Sequence, residues 1–349
     1  MVTRNFSARV ASFRHLFGDA VPTDADANPA HVSSQFLACF DVFKQRCAKP
    51  SQPVQRELSQ LVATSQADQI LRDIFPTTDS RRSGLVAKVL SSCCPEAVAW
   101  SRVVPSMPHF TLPPQEYSML MAYYLHLPIP GRPLLGNSCV SSRHNVDALG
   151  HHFITCFLNR VPPHDAVCDT LHALSRSAGL TAQREPSNLL THLAADSERR
   201  PDLAVENLTH NGKVLLLDVT TADPAAPSML REAKSHRSVG GAAQLLEQKK
   251  RQAYQGHVNS NLFSFQAVAI ELTGRWSGSL SGLFKGLCSR AKAYHNLSPA
   301  RFALFVGHWR SRLSLALAKA LASQAVSLKA QLLAGSLQAP ETLELSLYN

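Results

Sequence analysis

Two short apolar runs, each bounded by an aspartate, limit what this chain can fold into more than any other feature. The first reads Arg200-Pro201-Asp202-Leu203-Ala204-Val205, and the second Lys213-Val214-Leu215-Leu216-Leu217-Asp218-Val219-Thr220. Runs of this length, rich in Val and Leu and bounded by turn residues, read as strands. The four consecutive apolar residues before Asp218 mean that the second strand is covered on both faces. Asn211-Gly212 between the runs is a hairpin signal, so the pairing is antiparallel. Asp202 then opens one strand, Asp218 closes the next, and both carboxylates come to the same end of the sheet. Burying a carboxylate costs free energy unless something compensates it. A divalent cation does so, and Asp202, Asp218 and the Val219 carbonyl make the hard oxygen set that Mg²⁺ takes. The competing reading is that the two acids merely cap turns.

Around this pair the pattern is that of an α/β domain with a mixed central sheet. The periodicity predicts a helix over 165–178, with Val167, Leu171 and Leu174 inward and Gly179 as its C-terminal cap. Strands are predicted at 180–184, 202–206 and 214–220, a helix at 242–254, a buried strand at 263–272 and a helix at 282–294. The 349 residues allow two or three domains. Residues 1–100 read as a helical region: Val54, Leu58, Leu61 and Val62 follow Pro53 at helix spacing, and Leu85, Val89 and Leu90 precede Cys93-Cys94-Pro95. Residues 101–160 form a linker with a short helix over 116–127, a turn from Pro128 to Pro133, and a cysteine/histidine segment. The α/β domain takes 161–310, and 311–349 are a C-terminal amphipathic helix and tail.

Cys139, His144, His152 and Cys156 supply four borderline or soft donors, with His151 as a further candidate. Zinc favours tetrahedral sulfur/nitrogen sets, and four protein donors make such a site structural. The alternative is that Cys139 is a small buried residue. The eight cysteines are scattered and fit no disulfide framework, which points to a reducing, intracellular compartment. Arg4, Arg9 and Arg14, interleaved with Phe6, Val10, Phe13 and Leu16, read either as an ordinary basic helix or as an organellar import segment. No stretch approaches the roughly 20 uncharged apolar residues that span a bilayer. The closest, 313–333, contains Lys319 and Lys329 and aligns Leu313, Leu317, Leu321, Leu328 and Leu332 on one helical stripe. A membrane is therefore not an expected partner. The net charge of +10 favours polyanions, because each phosphate contact releases counterions.

A series of short motifs occurs in order over residues 84–310. It begins with Leu149-Gly150-His151-His152, Cys156, His164-Asp165-Ala166 and Ala178-Gly179-Leu180, and continues with Glu185-Pro186 and Arg200-Pro201-Asp202. Leu217-Asp218-Val219-Thr220 follows, then a Lys/Tyr helix, and finally Glu271-Leu272-Thr273-Gly274. Pro201-Asp202 with Asp218 resembles the PD-(D/E)XK nuclease signature, although Thr220 stands where a lysine usually follows the second acid. The whole series is similar to the C-terminal restriction-like endonuclease region of non-long-terminal-repeat retrotransposon polyproteins and related reverse-transcriptase-derived proteins. That resemblance implies a restriction-endonuclease-like fold and a Mg²⁺-dependent endonuclease cutting DNA, with RNA as a second nucleic-acid partner and a nuclear location in a eukaryote. In that group a lysine comes from the following helix, in a K-x-x-K-Y-like motif. Lys250, four before Tyr254, matches the first lysine, Ala253 replaces the second, and Lys249 is the near alternative. The resemblance further implies Asp202 and Asp218 as catalytic metal ligands, Glu185 as an additional acid, and Lys249, Lys250, Arg251 and Tyr254 as nucleic-acid contacts. It also implies a structural Zn²⁺, with His144 standing where the family has a cysteine. The residues by themselves leave other readings open: a solvated basic helix face for the lysines, a plain strand-end acid for Glu185. Two other functions compete, a decayed nucleic-acid-binding remnant and a structural protein. The chain has no room for a reverse transcriptase and no Tyr-x-Asp-Asp, so a fragment, a domesticated piece or a separately encoded region is expected.

Overall fold

Among the described residues, apolar spacing turns into helices at Arg82–Ser92 (α1), Pro114–Tyr124 (α2), His152–Thr155 (α3) and Val161–Ser177 (α4). The computed structural model describes residues 82–105, 110–124, 129, 152–156, 161–190, 200–209 and 211–333. Three strands follow α4: Ala182–Arg184 (β1), Leu203–Val205 (β2) and Val214–Ala222 (β3). Then come Gly241–Tyr254 (α5), Phe263–Glu271 (β4), Gly278–Tyr294 (α6) and the 35-residue helix Pro299–Leu333 (α7). The predicted order of helix, three strands, helix, strand, helix is the observed one, and these elements lie within the unit Ser80–Asn349.

The strands make one mixed sheet in the order β1-β2-β3-β4. β1 to β3 are antiparallel, Leu203 facing Leu217 and Val205 facing Leu215. β3 and β4 are parallel over their full length, from Val214 opposite Phe263 to Ala222 opposite Glu271. A parallel pair needs a crossover, and α5 supplies it.

Because strand side chains alternate between faces, the sheet has two different sides. Leu203, Val205, Leu215, Leu217, Val219, Val268 and Ile270 join the main core with Val167, Leu171 and Leu174 of α4, Leu280, Leu283 and Leu287 of α6, and Leu313, Leu317 and Leu321 of α7. The other side carries Ala204, Leu216, Asp218, Ala222, Ala267 and Ala269, all buried, and α5 packs on β3 and β4. Small residues on that side let the helix backbone approach closely. Its own first turn is equally small, with Gly241, Ala242 and Ala243 all buried.

The start of α5 is fixed by a buried acid. Glu271 ends β4 and its Oε1 accepts the Ala243 N–H at 3.3 Å, satisfying a first-turn donor that has no partner inside the helix. The Ser91 hydroxyl donates to the same carboxylate, and Arg275 donates to the Leu90 and Cys93 carbonyls at the end of α1 at 2.7 and 3.1 Å. Gly274, at φ +95°, turns the chain here so close to Ala97 that a Cβ would lie 2.7 Å from the Ala97 Cα. The described part of α7 buries the predicted stripe Leu313, Leu317, Leu321 and Leu328. Among the described residues no helix is long and apolar enough to cross a membrane.

Candidate active site

Asp218 sits one residue past Leu217, the last β2 partner of β3, faces α5, and is only 2% exposed. Its Oδ1 meets the Lys250 ammonium at 2.8 Å. Burial pushes the Asp218 carboxyl above the ordinary carboxylate range and the charge of Asp202 pushes the same way, while Lys250 and Tyr254 pull it back. Lys250 gets there because positions 243, 247, 250 and 254 form one stripe of α5, spaced four, three and four residues apart. Ala243, Glu247 and Tyr254 are buried on that stripe and the Lys250 side chain is 40% exposed. Lys249, about a quarter turn away, points outward and pairs with Glu232 at 2.7 Å. Of the two candidate lysines, the helix brings Lys250 to the acid and turns Lys249 from it.

Asp202 brackets Asp218 from the neighbouring strand. Its N–H donates to the Leu217 carbonyl at 2.9 Å, and its Oδ2 accepts the Val219 N–H at 2.6 Å. The two acids therefore lie at one end of the β2–β3 pair. N–H and C=O of one residue leave a strand on the same side, so the Val219 carbonyl leaves β3 toward Asp202 as well. The turn before Asp202 is tied down at several points: the Tyr254 hydroxyl donates to the Arg200 carbonyl at 2.8 Å, and the Glu185 N–H to the Asp202 carbonyl at 2.9 Å.

The remaining expected residues fall elsewhere. Glu185, at φ +45°, is exposed and its carboxylate lies 2.6 Å from the Arg200 guanidinium, beside Asp202 but engaged by that cation. The Tyr254 ring is buried and stacks on Phe265, centroids 4.4 Å apart and planes 18° apart, so the exposed basic face of α5 consists of Lys249 and Arg251. Arg251 lines a shallow groove with Lys213, Gln252 and Phe263. His152 and Cys156 stand one turn apart at α3, the Cys156 N–H donating to the His152 carbonyl at 2.8 Å; Cys139, His144 and His151 lie outside the described residues.

Two residues to which sequence reasoning gave no role in the site also reach Asp202. His164 Nε2 lies 3.2 Å from Asp202 Oδ2 and 3.7 Å from Cys168 Sγ, while its Nδ1 meets Asp165 Oδ1 at 3.1 Å. Burial alone would lower the His164 pKa, but its bonds to Asp202 and Cys168 prevail and hold it up at about 11. The signal was present in the sequence as a His-x-x-x-Cys spacing, which puts both side chains on one face once the helix, predicted to start at Asp165, is extended back to Val161. No protein-family model matches this chain, and no curated protein matches it.

Proposed function

We propose that this chain is a Mg²⁺-dependent endonuclease of the restriction-endonuclease-like kind, related to retroelement endonucleases, that hydrolyses DNA phosphodiester bonds. The observation that carries the reading is the 2.8 Å contact of Lys250 with the buried Asp218, at a point that Asp202 brackets through the Val219 N–H. Acid, acid and lysine come from the start of β2, from β3 and from α5. The order α4-β1-β2-β3-α5-β4 with its mixed sheet is compatible with the fold that this function implies.

The donor set fits Mg²⁺. Two carboxylates and a backbone carbonyl are the hard oxygens that Mg²⁺ takes, and a dication there would compete with Lys250 for Asp218 and with His164 for Asp202. Asp202, Asp218 and the Val219 carbonyl are the groups that would hold it, and when bound it lends Lewis acidity to a phosphoryl oxygen. Lys250 has a second role open to it, since its half-exposed ammonium is placed to orient the attacking water or to meet charge developing on the phosphate. Lys249 and Arg251 on the outer face of α5 would meet neighbouring phosphates. The structural Zn²⁺ at Cys139, His144, His152 and Cys156 remains part of the proposal.

Plasmid nicking with Mg²⁺ tests it. Asp218→Ala should abolish cutting while DNA binding stays or tightens slightly, because the substitution deletes a metal ligand and a charge that repels the backbone. Lys250→Ala should weaken both. Nicking by Asp218→Ala at the wild-type rate would rule out the mechanism. A second reading, a DNA-binding protein that no longer cuts, is favoured by the same Lys250 contact, which closes the Asp218 oxygen that a metal would take. It predicts a wild type that binds DNA but does not nick it, whatever divalent metal is supplied.

A further inference from the structure

We propose that His164, Cys168 and Asp202 form a binding site for a borderline transition-metal dication of the Zn²⁺ class. The site is distinct from the cysteine/histidine segment and shares only Asp202 with the oxygen set above. It stands whether or not the chain cuts DNA.

Three observations carry it. One nitrogen, one sulfur and one oxygen lie within 4.8 Å of one another. Tetrahedral bonds of ~2.0–2.3 Å put neighbouring donors roughly 3.3–3.7 Å apart. His164 Nε2 is 3.7 Å from Cys168 Sγ and 3.2 Å from Asp202 Oδ2, close to that spacing before any ion is added. The two helix donors are also pre-arranged, one turn apart on α4, and Cys168 is fully buried.

The second ring nitrogen is the other argument. His164 Nδ1 faces Asp165 Oδ1 at 3.1 Å. A metal-bound histidine characteristically donates its other N–H to a carboxylate, which fixes the tautomer and leaves Nε2 free to ligate. Asp165 is itself steadied by Arg184, whose Nη2 is 3.6 Å away and whose Nε donates to Asp169 at 3.0 Å. Arg184 is a cation near the site, and Asp165 and Asp169 offset it. A thiolate and a carboxylate then neutralise a dication, which suits zinc better than Mg²⁺ because sulfur is a poor ligand for hard ions. Three protein donors leave the fourth position for water or another small ligand.

Co²⁺ titration of the full-length protein tests the site, with thiolate-to-cobalt absorption in the near ultraviolet and bound metal per chain as readouts. Cys168→Ser, His164→Gln and Asp202→Asn leave the cysteine/histidine segment intact, so whatever that segment binds is common to every sample. Relative to wild type, Cys168→Ser should lose one equivalent of Co²⁺ and part of the thiolate band. His164→Gln and Asp202→Asn should weaken that equivalent roughly tenfold or more. Asp169→Asn should retain it. If Cys168→Ser does not fold, the other two variants decide, since their positions are only partly buried. Wild-type stoichiometry and band intensity in the folded variants would overturn the proposal.

Discussion

Asp218 and Lys250 show how unequal the two ends of one contact can be. The acid is almost wholly buried and the lysine is nearly half exposed. Lys250→Ala would leave a buried carboxylate without its cation, at a cost of about 1–3 kcal/mol, reduced by water that enters where the lysine leaves. Asp218→Asn should raise stability above the wild type at neutral pH, because it removes a charge that burial disfavours. Lys249→Ala breaks only an exposed pair with Glu232 and should leave the melting temperature unchanged. Thermal unfolding of the three variants separates these outcomes; equal losses for the two lysines would contradict the placement of Lys250.

Glu271 gives a pH test at the same scale. Burial holds its carboxyl above the usual value of 4.5, although Ser91 and the α5 backbone pull the other way. A raised acid contributes stability below its unfolded pKa, and that contribution is lost as pH rises through the folded value. Glu271→Gln keeps an acceptor for the Ala243 N–H but cannot ionise. Its stability relative to wild type should therefore climb as pH rises from about 4.5 toward 7, measured by urea midpoints. A difference that does not change with pH would mean that Glu271 is not held up by burial.

At the scale of elements, the decisive contact is α5 on the β3–β4 pair. Ala222 packs with Ala242 of the helix, and Ala267 and Ala269 lie buried on the same face of the sheet. Ala243→Leu adds volume where none is spare and should cost about 1–3 kcal/mol. The same change should shift α5 outward, moving Lys250 from Asp218, so under the proposed nuclease function cutting should fall by more than stability alone explains. Activity of the folded variant at a temperature well below its unfolding reads this directly. Full activity in a destabilised but folded Ala243→Leu would show that the helix position does not set the site.

The whole molecule carries 35 Lys and Arg against 25 Asp and Glu, a net +10. If its partner is DNA, the logarithm of the binding constant should fall linearly with the logarithm of salt, with a slope of about −0.9 per phosphate contact. Arg251→Ala should reduce that slope by about one, because Arg251 lies on the exposed face of α5 beside the groove that Lys213 lines. Fluorescence anisotropy with a labelled duplex from low to physiological salt provides the measurement. Binding that does not depend on salt would remove the electrostatic argument for a nucleic-acid partner.

The element order from 161 to 294 was legible because periodicity is local, whereas the helix Pro299–Leu333 runs through the boundary expected at residue 310. Alternation and apolar runs placed the strands, the three-and-four spacing placed the helices, and Asn211-Gly212 dictated that Asp202 and Asp218 end up together. Contacts between elements were not legible in the same way. Which of Lys249 and Lys250 meets Asp218 depends on how α5 is rotated about its axis over the sheet. The stripe through Ala243, Glu247 and Tyr254 encodes that rotation only once those residues are known to be buried. Glu185 turns to Arg200, and the Tyr254 ring closes on Phe265, because the chain bends at positions that propensity does not single out. His164 and Cys168 reach Asp202 across more than thirty residues of sequence, brought there by the packing of α4 against the sheet. Local sequence sets each element's period and ends; the azimuth of each helix is settled by the packing of side chains far apart along the chain, and here it is the azimuths of α4 and α5 that assemble the site.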